Sequence, residues 1–340
     1  MTIFEKSGKN LDDNLASLRK IFAKMKKIPF GSGDTVGIKI HWGERGNVSF
    51  LPPEYTREIV RWLKSMGAKP FVFDTTVLYL GGRRNGDDAI NTAQQHGFSK
   101  EFLGCPIVIA DGNDGTNTIE IPAEYRHFET VQVADIFSNT DGFVIFSHFK
   151  GHMVAGFGGA VKNISMGFAS RAQKQRMHTD SLFPQLNRDK CTKCGVCIQH
   201  CPAGAVSFDE DGYPVFNLQK CISCGECIAL CPQIALKILW NTDKKIFQEK
   251  LVETAAAVWK IIAKRTVLIN ALIKITKECD CLPGENPAVT EDIGFMAGYH
   301  PVEVDAKSIE VLGEDIIDSA HRNIPWRRQF EYAKEIKFTP

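Results

Sequence analysis

The sequence predicts an α/β fold: a mostly parallel sheet with helices on both faces, carrying an inserted ferredoxin-like module with two 4Fe–4S cluster motifs. Two observations predict it. Apolar runs of strand length alternate with stretches of helical period up to about residue 148 and again after residue 241. Such alternation implies a parallel sheet covered on both sides. Between the two parts, eight of the eleven cysteines fall into two copies of one pattern.

The elements follow from local pattern. Leu11 to Lys27 sets Leu11, Leu15, Leu18, Phe22 and Met25 on one helical face. Gly31 to Asp34 break that helix, and Thr35 to His41 reads as a strand. Pro53 to Met66 is a helix, with proline where its missing N–H costs nothing and Gly67 just past the end. Pro70 to Asp74 is a strand, Asp87 to His96 a short helix stopped by Gly97, and Pro106 to Asp111 a strand. A helical piece is expected near Val133 to Ser138, then a strand from Gly142 to His148. Beyond the cysteines, Lys245 to Lys264 is a long helix and Thr266 to Asn270 a strand. The expected division is an α/β domain over residues 1–186 and 241–340, with 187–240 inserted; the basic stretch Ala169 to Lys190 leads into the insertion.

The cysteine runs are Cys191, Cys194, Cys197, Cys201-Pro202 and Cys221, Cys224, Cys227, Cys231-Pro232, repeating every 30 residues. C-x-x-C-x-x-C-x-x-x-C-P is the bacterial run for a 4Fe–4S cluster, whose fourth cysteine ligates the other cluster in two-cluster ferredoxins. One cluster would then take Cys191, Cys194, Cys197 and Cys231, the other Cys221, Cys224, Cys227 and Cys201. Pro202 and Pro232 are expected at helix starts, with Gly195 and Gly225 letting the backbone approach the cluster. Structural zinc prefers two C-x-x-C pairs, not four cysteines in each run. Disulfides are not expected, because the first residues carry no apolar signal segment and intracellular thiols are kept reduced.

Composition narrows the function classes. Net charge is +1, so no global field recruits nucleic acid. No apolar run reaches the roughly 18 residues of a membrane span. A cytoplasmic protein is expected. Within 187–240 basic and acidic residues balance, unlike the acidic face of a soluble electron shuttle.

Outside the cysteine runs, the four early strands end in His41, Asp74, Asp111 and His148. Open parallel sheets bind ligands beyond the carboxyl ends of their strands. Ser147 to Gly167 adds Lys150, His152, a glycine stretch, Lys162 and Asn163. Glycines between a strand and a helix can aim backbone N–H groups at an anion, although the dinucleotide fingerprint is absent. Cys279 and Cys281 flank Asp280; two residues apart on an extended chain they face one side, as a second metal site or a redox dithiol. Cys105, alone before Pro106 in an apolar strand, reads as packing.

The segments KIHWGERGNVSFLPPEYTREIV, GAKPFVFDT, SHFKGHMVAGFGGAVKNISMGF, INALIKITKECDC and DIGFMAGYHPVEVDAKSIEVL, with the two cysteine runs, resemble the domain-of-unknown-function family numbered three hundred and sixty-two, described as an uncharacterised iron–sulfur centre protein. The resemblance implies an α/β domain with an inserted two-cluster ferredoxin and names no substrate. Tyr299-His300 stand where the family pattern suggests an aspartate before Pro301-Val302. GFGGAVKN is also faintly similar to the glycine–lysine loop of nickel-pincer lactate racemases.

Two functions follow. One is an iron–sulfur redox protein moving electrons to or from a site in the α/β domain, serving a redox partner protein or a small-molecule substrate. The other is a non-enzymatic electron carrier or accessory protein whose α/β domain binds a partner, metal or cofactor.

Overall fold

The structure, a computed structural model, describes residues 2–180 and 183–340. Residues 181 and 182, within the basic stretch before the cysteines, lie outside them. A seven-stranded sheet organises the fold, in the order Ile3–Lys6, Gly294–Gly298, Thr266–Leu272, Gly142–His148, Thr35–Lys39, Lys69–Asp74, Ile107–Ile109. The last five strands run parallel; Gly294–Gly298 is antiparallel to both its neighbours.

The two faces explain the apolar runs. In Gly142–His148, Phe143 and Ile145 pack into one core while Val144 and Phe146 pack into the other. A strand buried on both sides has no polar face to alternate with. Helices Leu11–Lys24 and Pro53–Ser65 cover one face. Helices Ala160–Phe168, Lys244–Ile262 and Pro301–Leu312 cover the other. Several ends follow from their sequence signals. Asn10 and Asn85 accept from the backbone N–H three residues on, the N-cap arrangement. Gly67 and Gly97 turn the chain after their helices at φ +79° and +84°.

One element differs from the sequence pattern. Val133 to Ser138 is not helical: Thr130–Ala134 is a strand, paired antiparallel with Thr118–Pro122. Val131 and Val133 alternate into the core, a period-2 signal in a β-branched stretch. The basic stretch after Ala169 forms a helix, Arg171–His178, capped by Ser170.

The sheet order places a topological switch between Thr35–Lys39 and Gly142–His148. From the first, the chain winds outward through Lys69–Asp74 and Ile107–Ile109; from the second, it winds the other way. The cysteine-rich residues leave and return at one point. His178 O accepts from Asn241 N and Thr242 N at 3.1 and 3.2 Å, and Asp180 accepts from Asp243 N at 2.8 Å. No helix among the described residues is long and apolar enough to cross a membrane.

Candidate functional site

Each cysteine run curls around a hollow. Lys193 and Gly195 flank Cys194 at φ +58° and +76°, and Ser223 and Gly225 flank Cys224 at +55° and +83°. These left-handed residues bend each loop back on itself. One hollow is lined by Cys191, Cys194, Cys197 and Cys231. The other is lined by Cys221, Cys224, Cys227 and Cys201. Each therefore draws three sulfurs from one run and the fourth from the other. No disulfide joins any of the cysteines. Backbone N–H groups point at three sulfurs: Lys193 N at Cys191 (3.4 Å), Ala205 N at Cys201 and Ala235 N at Cys231 (3.2 Å each). Pro202 and Pro232 do not open helices. The short helices Val196–Gln199 and Glu226–Leu230 precede the fourth cysteines, and the prolines begin turns closed by Gly204 N→Cys201 O and Ile234 N→Cys231 O, both 3.2 Å.

A second site lies at the switch point, where the strand order reverses and a crevice is expected. It is a cavity of about 520 Å³, within the range of small-molecule sites. Its floor comes from the carboxyl ends of the two central strands, with Lys39 and His41 on one side and Ser147 and His148 on the other. Lys39 is fully enclosed. Its Nζ meets Asp74 Oδ1 at 2.8 Å, Ile40 O at 2.7 Å and Asn163 Oδ1 at 3.0 Å. Asn163 in turn donates to Phe146 O and Ser147 Oγ, tying the helix to both strands. Burial lowers the Lys39 pKa, against the pull of Asp74. Burial also opposes ionisation of Asp74, yet Lys39, His41 and Arg83 hold it well below the carboxylate range. Lys174, from helix Arg171–His178, donates to Thr75 Oγ1 at 2.8 Å and is pushed by burial to about 8.

The cavity wall carries the second cysteine pair. Cys279, Asp280 and Cys281 lie in a tight turn, Leu282 N donating to Cys279 O at 3.1 Å, and not in the extended chain that the spacing suggests. The turn still brings both sulfurs to one side, because Asp280 is pinned on the other by His148 Nδ1 at 2.8 Å and by Lys150. Both sulfurs lie within 4.8 Å of a ring nitrogen of His152 and of each other. Cys281 N–H points at Cys279 Sγ, 3.4 Å away, and Lys162 Nζ lies 3.8 Å from the same sulfur. A separate hydrogen bond from the Cys281 thiol lowers the Cys279 pKa well below the ordinary thiol value; burial opposes this, while Lys162 and His41 reinforce it. Cys281, donating that bond, is pushed well above it. Geometry favours the thiolate on Cys279, the sulfur that the Cys281 N–H and the Lys162 ammonium both face.

The cavity gathers most of the sequence candidates: His41, Asp74, His148, Lys150, His152, Lys162, Asn163, Cys279 and Cys281 all line it. Asp111 does not. It is buried beyond the strand end, where it accepts from Thr76 N at 2.8 Å and from the Thr76 hydroxyl, so it anchors the segment behind the cavity. Both His148 nitrogens are committed, Nδ1 to Asp280 and Nε2 to Ile273 O at 2.9 Å, which leaves neither for a ligand. The glycine stretch offers no open anion cradle. Ala160 N and Val161 N, at the start of the following helix, donate to Asp305 at 2.7 and 2.9 Å, so the protein supplies its own anion there. A Cβ on Gly159 would stand 2.3 Å from Asp305 Oδ1. Pattern reasoning missed Lys39, Arg83 and Lys174. Lys39 did carry a signal, a lysine closing the largely apolar strand Thr35–Lys39.

The two sites adjoin. Leu78, in the cavity lining, packs against Ala229, between Cys227 and Cys231. Arg84 Nη2 donates to Ala229 O and Cys231 O at 3.2 and 3.0 Å. Trp240, at the end of the cysteine-rich residues, forms part of the cavity wall against His178.

Residues 36–310 match the family described as a domain of unknown function (DUF362). Among curated proteins, the chain is 50% identical over 30 residues to the pyruvate synthase subunit PorD of Pyrococcus furiosus, covering 9% of this chain and 29% of that protein. It is 45% identical over 31 residues to a probable ferredoxin of Methanosarcina thermophila, covering 9% and 53%. Similar solved structures include a Thermotoga maritima protein (TM-score 0.49, 11% identity, 91% of this chain and 60% of that one). Another is the lactate racemase apoprotein of Thermoanaerobacterium thermosaccharolyticum (TM-score 0.43, 15% identity, 92% and 62%). The chain thus spans less than two thirds of each of these proteins.

Proposed function

We propose that this chain, which belongs to the DUF362 family, is an iron–sulfur redox protein that exchanges electrons between two 4Fe–4S clusters and the cavity at the switch point. The observation that carries the reading is the composition of the two hollows. Each is lined by four cysteines in the three-plus-one arrangement of crossed ligation. The donor set fits the group: four cysteine sulfurs line each hollow, and backbone N–H groups are aimed at three of these sulfurs. Such N–H···S contacts tune cluster potential. When bound, the clusters supply one-electron transfer.

Residues 187–240 are read as an inserted unit, since the chain enters and leaves it at adjacent residues. The unit is docked on the cavity rim through Leu78–Ala229, Arg84 and Trp240. That contact favours delivery to the cavity over a free-standing carrier. The test is an anaerobic redox titration followed by electron paramagnetic resonance. The reading expects two one-electron centres per chain whose signals broaden each other when both are reduced. A single centre, or none, counts against it.

A further inference from the structure

We infer that Cys279 and Cys281 form a redox-active dithiol–disulfide couple at the cavity, which reduces an anionic small-molecule disulfide. The inference rests on the electron-transfer reading above.

The alternative use of this pair, a metal held with His152, meets an obstacle in the histidine. His152 Nδ1 accepts from Val154 N at 3.1 Å and Ala155 N at 3.0 Å, so Nδ1 carries a lone pair and the proton of the neutral ring sits on Nε2. Ligation through Nε2 would displace that proton to Nδ1, against two backbone donors. His41 Nδ1 lies between Arg83 Nη1 at 3.0 Å and Asp74 Oδ2 at 3.4 Å, so it is engaged on the side away from the sulfurs. His152 therefore presents an N–H group near the sulfurs, an arrangement that stabilises a thiolate and not one that binds a cation. Burial, with Lys162 nearby, keeps His152 neutral by pushing its pKa well below the ordinary value. Among the described residues Lys162 forms no salt bridge with a carboxylate, and the Cys279 sulfur is the anionic partner it faces.

The remaining geometry suits disulfide chemistry. One sulfur is a stabilised thiolate and its neighbour holds the proton, the division between attacking and resolving thiols. The two sulfurs lie within 4.8 Å of each other on a turn that Asp280 fixes from behind. Lys39 and Arg83 pair with Asp74 and Glu44, and Lys150 with Asp280, so among the described residues Lys162, beside the Cys279 sulfur, and Lys174 are the lining cations with no carboxylate salt bridge, and these two favour an anion. In the forward step, Cys279 thiolate attacks one sulfur of the substrate disulfide, forming a mixed disulfide and expelling one thiolate. Cys281 then attacks Cys279 sulfur, closing the 279–281 bond and expelling the second half, which takes the proton of Cys281. Two electrons and one proton restore the thiolate–thiol pair. The electrons come singly through the clusters from a low-potential one-electron donor protein.

The test uses cluster-loaded protein under anaerobic conditions, with oxidised glutathione as the anionic disulfide. After acid quench, denaturation and alkylation, the peptide holding Cys279 and Cys281 should pass from doubly alkylated to unalkylated and two hydrogens lighter, with two reduced glutathiones released per chain. Reduced methyl viologen should then return two alkylatable thiols. Lys162→Gln should slow the oxidation about tenfold at unchanged cluster content, and cystamine, a cationic disulfide, should react about tenfold more slowly than glutathione disulfide. The couple is overturned if both cysteines stay alkylatable in glutathione disulfide, or if a stoichiometric non-cluster metal protects them. Equal rates for the two disulfides overturn the anionic class. If the disulfide forms but methyl viologen reduces it no faster than in a cluster-deficient Cys194→Ala protein, the couple stands and the electron-transfer reading fails.

Discussion

Single residues in the cavity trade stability for charge. Lys174 is buried, hydrogen-bonded to Thr75, and its pKa sits at about 8, against 10.5 for the free side chain. The folded protein therefore binds fewer protons than the unfolded chain between those values. Stability then rises as pH climbs from about 8 to 10.5, and below pH 8 the lysine costs about 3 kcal/mol. Lys174→Met should flatten that rise. Denaturant unfolding of the anaerobic protein from pH 7 to 10.5 checks it; equal slopes in the two proteins would show that the lysine keeps its ordinary pKa. The same scale marks how far the sequence could be read. Cys279 and Cys281 stood out by spacing, yet a turn anchored by Asp280 brings the sulfurs together, and no pattern records an anchor 130 residues from Lys150 in sequence. Lys174 and Arg83 gave no signal at all, because basic residues in helices and loops are usually solvated.

At the scale of elements, the crossed hollows make a prediction that sequence neighbours alone would get wrong. Cys231 lies in the second run but lines the first hollow, and Ala235 N hydrogen-bonds its sulfur. Cys231→Ala should destabilise the cluster bound by Cys191, Cys194 and Cys197, leaving the one bound by Cys221, Cys224, Cys227 and Cys201. Pairing that variant with Cys201→Ala and comparing their resonance spectra checks the assignment. The expected result is loss of the distant run's signal in each; loss of the near run's signal contradicts it. The five parallel strands of the sheet were legible because burial on both faces writes continuous apolar runs, whereas Ile3–Lys6 and the antiparallel Gly294–Gly298 were not read. The Thr118–Pro122 and Thr130–Ala134 hairpin was not, because Ile119, Ile121, Val131 and Val133 face the core from short polar-flanked segments, which a helical reading also accommodates.

For the whole molecule, the sheet needs both halves of the chain. Thr266–Leu272 pairs with Gly142–His148 along six residue pairs, Thr266 with Phe143 through Ala271 with His148, so residues 1–180 alone would leave a fully buried, mostly apolar central strand open at its edge. The cysteine-rich unit is different, since His178 and Asn241 already touch across its ends. Deleting 187–240 with a short linker should leave a cooperatively folded protein with native far-ultraviolet circular dichroism and no iron. Failure of that protein to fold, with residues 1–180 folding alone, would remove the idea of an insertion. The cysteines of 187–240 marked where an insertion is expected. The site at the strand ends was legible from His41, Asp74 and His148, but the full wall was not, because it forms only where the two halves of the sheet meet and Trp240 closes it.

The central claim is that the two four-cysteine hollows hold 4Fe–4S clusters. Iron, acid-labile sulfide and zinc measured per chain on anaerobically purified protein test it most directly. The account predicts about eight irons and eight sulfides with negligible zinc, and a content near two metal ions per chain, with zinc and no sulfide, would contradict it.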